Sequence, residues 1–168
     1  LLKEAPLYID DSEGLSIMDL RSKARRWVKE HGVRLIMIDY LQLMTASGMK
    51  YNSRQEEVSL ISRSLKGLAK ELNIPVLALS QLNRGVESRE GAEGKRPHLS
   101  DLRESGAIEQ DADMVIFLHR PEYYGIMMSS DGLIDYHQKA EVIISKHRKG
   151  ATGIIMMEFR GEYTRFDN

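Results

Sequence analysis

The sequence predicts an α/β fold, and three stretches carry the prediction. Residues 35–38 are four consecutive apolar residues without alternation, which is typical of a strand buried on both faces of a parallel sheet. Residues 76–79 form a second run of the same kind. Between the two runs, apolar residues recur at steps of three and four, which predicts an amphipathic helix. Strands joined through a helix in this way favour parallel pairing.

Two capping signals mark the starts of the predicted helices. Ser16 is followed three residues later by Asp19, and Ser53 is followed in the same way by Glu56. A hydroxyl followed by an acid at this spacing is the signature of a capping box. Gly32 is the expected end of the first helix, because glycine adopts the left-handed conformation at little cost.

Short apolar runs predict further strands on either side of this helical part. They cover residues 7–9, 114–118, 140–145, 154–159 and 163–166. The last three are separated by glycine-containing turns, which predicts that the chain ends in antiparallel strands joined as hairpins. Residues 121–139 are polar and include the turn pair Asp131 and Gly132, so we expect an excursion compatible with a hairpin there.

Residues 83–106 have no strong apolar period, and we expect a long mobile loop with a helical turn near residues 99–103. The basic residues of this stretch are Arg84, Arg89, Lys95, Arg96 and Arg103. A long loop at the ligand edge of a domain is more often functional than idle. The alternative is a solvated connector.

Composition limits the classes of protein that the chain can represent. A length of 168 residues predicts one domain, residues 1–168, with a proper core. The absence of cysteine excludes a disulfide scaffold, a cysteine zinc site and a thiol nucleophile, and it fits a reducing cytoplasm. No apolar run reaches membrane-spanning length, and Lys3, Glu4 and Pro6 interrupt any signal-peptide pattern at the start. The net charge of −1 means that DNA contact would depend on a local basic cluster.

Polar side chains follow both helix-linked strands at their ends. Asp39 follows the first apolar run, and Gln81 follows the second. In an open α/β sheet, ligands sit beyond the carboxyl ends of the strands, so both side chains would reach one ligand edge. Asp39 could hold Mg²⁺ on a nucleotide phosphate, and the alternative is an aspartate that caps a loop. For Gln81 the alternative is an amide bonded to neighbouring loop backbone.

Four motifs that occur in order along the chain carry a family resemblance. They are Ile38-Asp39-Tyr40-Leu41-Gln42-Leu43-Met44, Leu79-Ser80-Gln81-Leu82-Asn83-Arg84, the run from Asp101 to Asp113, and Lys146-His147-Arg148-Lys149-Gly150-x-x-Gly153. Together they resemble the motor domain of the bacterial replicative DNA helicases of the DnaB family, which are hexameric RecA-like ATPases. The resemblance covers nearly the whole chain. It implies a RecA-like P-loop NTPase sheet with helices on both faces and antiparallel C-terminal strands.

The resemblance implies ATP and Mg²⁺ as cofactors and assigns roles at the nucleotide. Asp39 matches the Walker B aspartate that helps to hold Mg²⁺, and Gln81 matches the glutamine that senses the γ-phosphate. Lys146 and Arg148 match the pair that reaches into the ATP of the neighbouring subunit. Alternation along a strand puts these two basic residues on one face. The alternative is a basic, solvated strand end.

The resemblance also implies a DNA contact. Arg103, Glu104 and Gly106 match the loop that tracks single-stranded DNA in the channel of the hexamer. An arginine and backbone N–H groups can grip phosphates without reading bases, and a glycine lets the backbone approach closely. Glu104 is unusual next to a phosphate, so we expect it to position the loop or to pair with Arg103. The alternative is an ordinary loop leading into a helix. Primase and a helicase loader are the implied partners, with no membrane.

The chain departs from the family pattern because it contains no P-loop motif. Its nearest approach, Gly94 and Lys95, lacks the required glycine at position 89 and the hydroxyl at position 96. In the family the P-loop and the catalytic glutamate lie upstream of Leu1, so we expect a truncated motor domain that does not hydrolyse ATP alone. Loss of the P-loop strand would either let its two neighbours close up or leave apolar surface that drives self-association.

Two other functions remain open on the sequence. One is a different RecA-type ATPase, such as a recombinase or a clock-type kinase, with the same aspartate and glutamine at strand ends. The residues from 101 to 113 and the Lys146 and Arg148 pair argue against it. The other is a DNA-binding or interaction module without enzymatic activity.

Overall fold

The structure is a computed structural model that describes residues 4–91 and 93–168, except for the side chains of residues 103–106. The chain divides into two compact units. Unit 1 comprises Leu1–Gln81 and Ser105–Asp111, and unit 2 comprises Leu82–Glu104 and Ala112–Asn168. The single domain expected for residues 1–168 stays a prediction. None of the described helices combines the length and the apolar content that crossing a membrane requires.

Both predicted helices of unit 1 are confirmed, together with their caps. Helix α1 spans Ile17–His31 and helix α2 spans Arg54–Leu72. The hydroxyl of Ser16 accepts a hydrogen bond from the backbone N–H three residues later at 3.1 Å, and Ser53 does the same at 3.2 Å. Helix α1 ends at Gly32, whose φ of 65° is the left-handed conformation that favours glycine.

A parallel pair of strands follows the helical pattern of unit 1. Strand β1 spans Ile36–Ile38 and strand β2 spans Val76–Ala78, and residue 36 lies opposite residue 76. The backbone bonding continues past both strands. The N–H of Leu79 donates to the carbonyl of Ile38, and the N–H of Leu41 donates to the carbonyl of Leu79, each at 2.9 Å.

The core of unit 1 lies against one face of this pair. Ile36 and Ile38, with their neighbours on β2, pack against a buried cluster from both helices and the segment after β1. The buried residues are Ile17, Leu20, Ala24, Leu41, Met44, Ala46, Ile61, Leu65 and Leu68. On the opposite face Met37 is 67% exposed and Leu77 is 45% exposed. The expectation that these strands are buried on both faces is therefore wrong for the described chain, because α1 and α2 contribute to a core on one face.

The strand expected at residues 7–9 is also wrong. Within the described residues this segment pairs with no strand, and Leu7 and Ile9 are exposed. Tyr8 instead stacks on His31 of α1, with ring centroids 4.6 Å apart. Three residues of suitable composition form a strand only where another strand supplies hydrogen-bonding partners.

Unit 2 contains the antiparallel strands that the sequence predicts. They are β3 (Met114–His119), β4 (Lys139–His147), β5 (Gly153–Arg160) and β6 (Arg165–Asp167), in that order across one sheet. Strand β2 belongs to the two-stranded sheet of unit 1 and strand β3 to the four-stranded sheet of unit 2. The exposed apolar face of β1 and β2 fits the expectation that apolar surface is left uncovered without the P-loop strand. Self-association through this face stays a prediction.

One face of the unit 2 sheet forms its core. Val115, Phe117 and Ile143 are buried there together with Leu102. Between β3 and β4 the chain makes the expected excursion, with a bridge between Met128 and Asp135 closed by a turn at residues 131–132. The expected excursion is confirmed, and its antiparallel pairing is an isolated bridge rather than a pair of strands.

We expect Ile61→Ala to lower the free energy of unfolding by about 2–5 kcal/mol, because it leaves a cavity at a fully buried position of α2. Urea unfolding followed by circular dichroism measures the change. The matched control is Ile9→Ala, a position that is 78% exposed, where we expect a change within about 0.5 kcal/mol. Equal losses for the two variants would contradict the described core.

Candidate functional site

The parallel pairing brings the two predicted nucleotide residues to one edge of the sheet. Asp39 follows β1 directly, and Gln81 lies three residues beyond the end of β2. Because the strands run parallel and in register, both side chains leave at the carboxyl edge. Both are exposed. The edge therefore presents a carboxylate and an amide to solvent, which is the pair that the sequence predicts there.

A third polar side chain, which the sequence reasoning did not single out, joins the two strand ends. Gln42 lies in the short 3₁₀ turn Leu41–Leu43 that follows β1. Its amide nitrogen donates to the hydroxyl of Ser80 at 3.1 Å and to the carbonyl of Gln81 at 3.4 Å. Its amide oxygen accepts from the N–H of Gln81 at 3.3 Å. The available signal is a polar residue between two leucines, three positions after Asp39.

The turn that carries Gln42 is anchored on helix α2. The guanidinium of Arg54 donates to the carbonyls of Gln42 and Met44, at 2.7 and 3.1 Å, and it pairs with the buried carboxylate of Glu57. Glu57 also accepts from the N–H of Ala46 at 2.9 Å. Burial raises the pKa of Glu57, but these donors outweigh burial and hold the pKa below its ordinary value. Glu57 therefore stays charged at neutral pH and keeps Arg54 in place.

The segment expected to be a long mobile loop is tied down by ion pairs within unit 2. Buried Asp101 pairs with Arg89 and accepts from the N–H of His98 at 2.7 Å. Arg96 pairs through two nitrogens with Glu141 of β4, which is 2% exposed. The helical turn expected near residues 99–103 is confirmed as the 3₁₀ segment Leu99–Ser105. One of these ion pairs lies within the stretch and the other joins it to β4, and the mobility expected of the loop stays a prediction.

The predicted DNA-contacting residues lie at the end of this anchored segment. The backbone of Arg103 and Glu104 belongs to the 3₁₀ segment, and Gly106 is the first residue of helix α3, Gly106–Asp111. Their side chains lie outside the described part of the structure, and so does the expected pairing of Glu104 with Arg103.

The basic pair lies at the end of β4. Lys146 lies opposite Val115 of β3, and Arg148 follows the last residue of β4. The N–H of Arg148 donates to the carbonyl of Asp113 at 2.8 Å, and its guanidinium lies 3.7 Å from the Asp113 carboxylate. Arg148 lies in the turn that follows β4, so strand alternation does not extend to it, and the placement of the two basic side chains on one face stays a prediction.

The described residues contain no group of three or more histidines or acids that could hold a metal ion. Mg²⁺ that is bound with a nucleotide needs one or two carboxylates, because phosphate and water oxygens supply its other ligands. The exposed carboxylate of Asp39 at the sheet edge fits such a site.

Comparison with known proteins decides the family. The sequence profile of the family described as DnaB-like helicase C terminal domain matches residues 1–168. The chain belongs to this family. This DnaB-like chain is 48% identical over 167 residues to the replicative DNA helicase DnaC of Bacillus subtilis strain 168, which covers 99% of the chain and 35% of that protein. It is 54% identical over 163 residues to the replicative DNA helicase DnaB of Pasteurella multocida strain Pm70, and this match covers 96% of the chain and 33% of that protein. The chain thus spans about a third of the length of these relatives.

A solved structure supports the same assignment. The DnaB-like chain matches a DnaB-like replicative helicase, described with its interactions with primase, at a TM-score of 0.85 and 44% identity. The match covers 99% of this chain and 38% of that one. The predicted family and the α/β fold are confirmed.

Next to the segment 84–102, a buried histidine lies beside the Arg96 and Glu141 pair. His119 ends β3, and its ring stacks on Tyr124 at 5.8 Å. Burial lowers the pKa of His119 below its ordinary value, although the carboxylate of Glu141 acts in the opposite direction. Tyr136 donates to Glu141 at 3.4 Å in the same cluster.

We expect acid to destabilise unit 2 through His119. A lowered pKa means that the folded state holds the ring neutral and the unfolded state takes up the proton more readily. The contribution of neutral His119 to the free energy of unfolding is therefore fully present above the ordinary histidine pKa of about 6.5. It is lost as the pH falls below that value. His119→Phe should reduce the difference in Tm between about pH 8 and about pH 5.5. His31→Phe, an exposed ring of α1, should keep the wild-type difference. A wild-type difference in the His119 variant would contradict the assignment.

Proposed function

We propose that the chain is part of the motor domain of a replicative hexameric DNA helicase that couples ATP hydrolysis to unwinding duplex DNA. The observation that carries the proposal is the parallel register that puts Asp39 and Gln81 at one carboxyl edge in a chain of the DnaB-like family. The relatives named as replicative DNA helicases support it. A recombinase, a clock-type kinase or a non-enzymatic module has no such support.

At the nucleotide, Asp39 and Gln81 act from the same subunit. Asp39 holds Mg²⁺, which neutralises charge on the phosphates of ATP. Gln81 donates from its neutral amide to an oxygen of the γ-phosphate and loses that partner after hydrolysis. The exposure of both side chains at the edge leaves them accessible to a nucleotide.

Lys146 and Arg148 act on the ATP of the neighbouring subunit. A guanidinium aimed at the γ-phosphate stabilises the charge that develops in the transition state. The contacts of Arg148 with Asp113 hold the base of this side chain against β3. The Arg148 side chain is 47% exposed, which suits a group that reaches a partner.

Arg103, Glu104 and Gly106 bind single-stranded DNA through its phosphates, with Arg103 as the charged contact. The ion pairs of Asp101 and Glu141 support this role because they hold the preceding segment in one place. Primase and a helicase loader are the proposed protein partners. We assign a cytoplasmic location, because the proposed substrate is the replicating bacterial chromosome. The 168-residue chain by itself should not hydrolyse ATP.

Subunit mixing tests the trans action of Arg148 in the full-length protein that contains this chain. We expect Arg148→Ala to lower kcat for ATP by about 10³-fold or more, as removal of an arginine finger does. Asp39→Asn should also be inactive. In an equal mixture of the two variants about a quarter of the subunit interfaces combine an intact Asp39 with an intact Arg148, so ATPase activity should partly return.

The matched control is Arg165→Ala, an exposed arginine that pairs with Asp167 on β6 and should leave kcat unchanged. If the mixture stays inactive although the variants form mixed hexamers, Arg148 does not act across the interface.

The DNA contact is tested by salt dependence. Arg103→Ala should weaken binding of single-stranded DNA about equally for all sequences and reduce the slope of log K against log salt by about 0.7–1. Fluorescence anisotropy at several salt concentrations measures both quantities. The control is Arg63→Ala, at an exposed position of α2. An unchanged slope for the Arg103 variant would exclude a phosphate contact.

A further inference from the structure

Gln42 is a polar side chain at the candidate nucleotide edge, and the proposed mechanism assigns it no role. It is half-buried in the turn after β1, next to Asp39 in the first motif. Its amide bonds to the backbone of Gln81 on both sides, accepting from the N–H and donating to the carbonyl, and it also donates to Ser80.

Two bonds to one residue restrict its backbone more than a single bond does. The peptide groups on either side of Gln81 must each break a bond before the residue can rotate. The amide is the side-chain group that supplies a donor and an acceptor from one planar end. A carboxylate of the same length retains the acceptor and loses the donor, and a thioether lacks both strong functions.

Gln42 is itself held from two sides. The N–H of Leu41 donates to the carbonyl of Leu79, which fastens the turn to the chain after β2. Arg54 donates to the carbonyl of Gln42 and is fixed by the buried carboxylate of Glu57. The position of the Gln42 amide is therefore set by the core of unit 1.

The exposed side chain of Gln81 has no comparable support from burial, so its direction depends on its backbone. We propose that Gln42 is a positioning residue that holds the backbone of Gln81 so that the Gln81 amide points at the terminal phosphate of a nucleoside triphosphate. The inference rests on the proposed function. Gln42 acts through Gln81, so its loss should slow hydrolysis and leave nucleotide binding unchanged.

A double-mutant cycle in the full-length protein tests this role. Gln42→Met should lower kcat for ATP about 3- to 10-fold, the effect of one or two modest hydrogen bonds, with KM unchanged. Gln81→Ala should lower kcat about 100-fold. The double variant should be no slower than Gln81→Ala, because Gln42 has nothing left to position. The proposal would be overturned if the losses in kcat of the two single variants multiplied in the double variant. A wild-type kcat in Gln42→Met would also overturn it.

Hydrogen exchange separates this proposal from the proposed function, since it needs no activity. In nucleotide-free protein, the Gln81 amide should exchange about 3- to 10-fold faster in Gln42→Met, because it loses its acceptor. Leu43→Met, at an exposed position of the same turn, should exchange at the wild-type rate. Unchanged exchange in Gln42→Met would overturn the link. If the wild-type protein lacks ATPase activity, the proposed function is wrong. Hydrogen exchange then tests by itself whether Gln42 holds the backbone of Gln81.

A second variant covers the case in which Gln42→Met does not fold. Gln42→Glu keeps the length of the side chain and the acceptor for the Gln81 N–H, and it loses both donated bonds. It should retain slow exchange at Gln81 and show a kcat between those of wild type and Gln81→Ala. Fast exchange with a wild-type kcat would overturn the proposal.

Discussion

Parallel hydrogen bonding between β1 and β2 is the constraint on which the candidate nucleotide edge depends. Each strand has three residues, so the ladder is short and backbone bonds alone would hold its register weakly. The hydrophobic core stabilises the register further, because Ile36 and Ile38 pack against a buried cluster from both helices. A shift of register by one residue would turn these side chains away from the core and separate Asp39 from Gln81. The hydrophobic face and the polar edge are thus specified together.

Much of unit 1 could be predicted from sequence because its signals are local. A helix cap is a contact over three residues, and helical periodicity is visible within a few turns. The wrong predictions concern the contacts of a strand with parts of the chain that are distant in sequence. The apolar runs at 36–38 and 76–78 indicate strands correctly, but composition does not say whether a second layer covers Met37 and Leu77. The same reason explains residues 7–9, since a strand needs a partner that its own residues do not specify.

In the candidate site, too, the residues that follow a local pattern could be predicted, and those with distant partners could not. Asp39 and Gln81 could be predicted because strand ends meet at one edge of a parallel sheet. Gln42 could not, because its partners lie 38 and 39 positions away in the chain. The 83–106 stretch was expected to be mobile because its charges suggest solvent. Arg96 instead finds Glu141, 45 positions further on, and a pairing at that distance leaves no local pattern.

The ion pair between Arg96 and Glu141 also limits how this protein can be recombined with its relatives. The segment 84–102 and strand β4 each carry one member of the pair, and Glu141 is almost completely enclosed. Breaking a buried pair on one side typically costs about 3–5 kcal/mol, whereas replacing both members together is often neutral. A chimera that imports a foreign segment at 84–102 must therefore bring the matching residue at 141 with it. The segment 84–102 and the residue at 141 therefore have to be exchanged together.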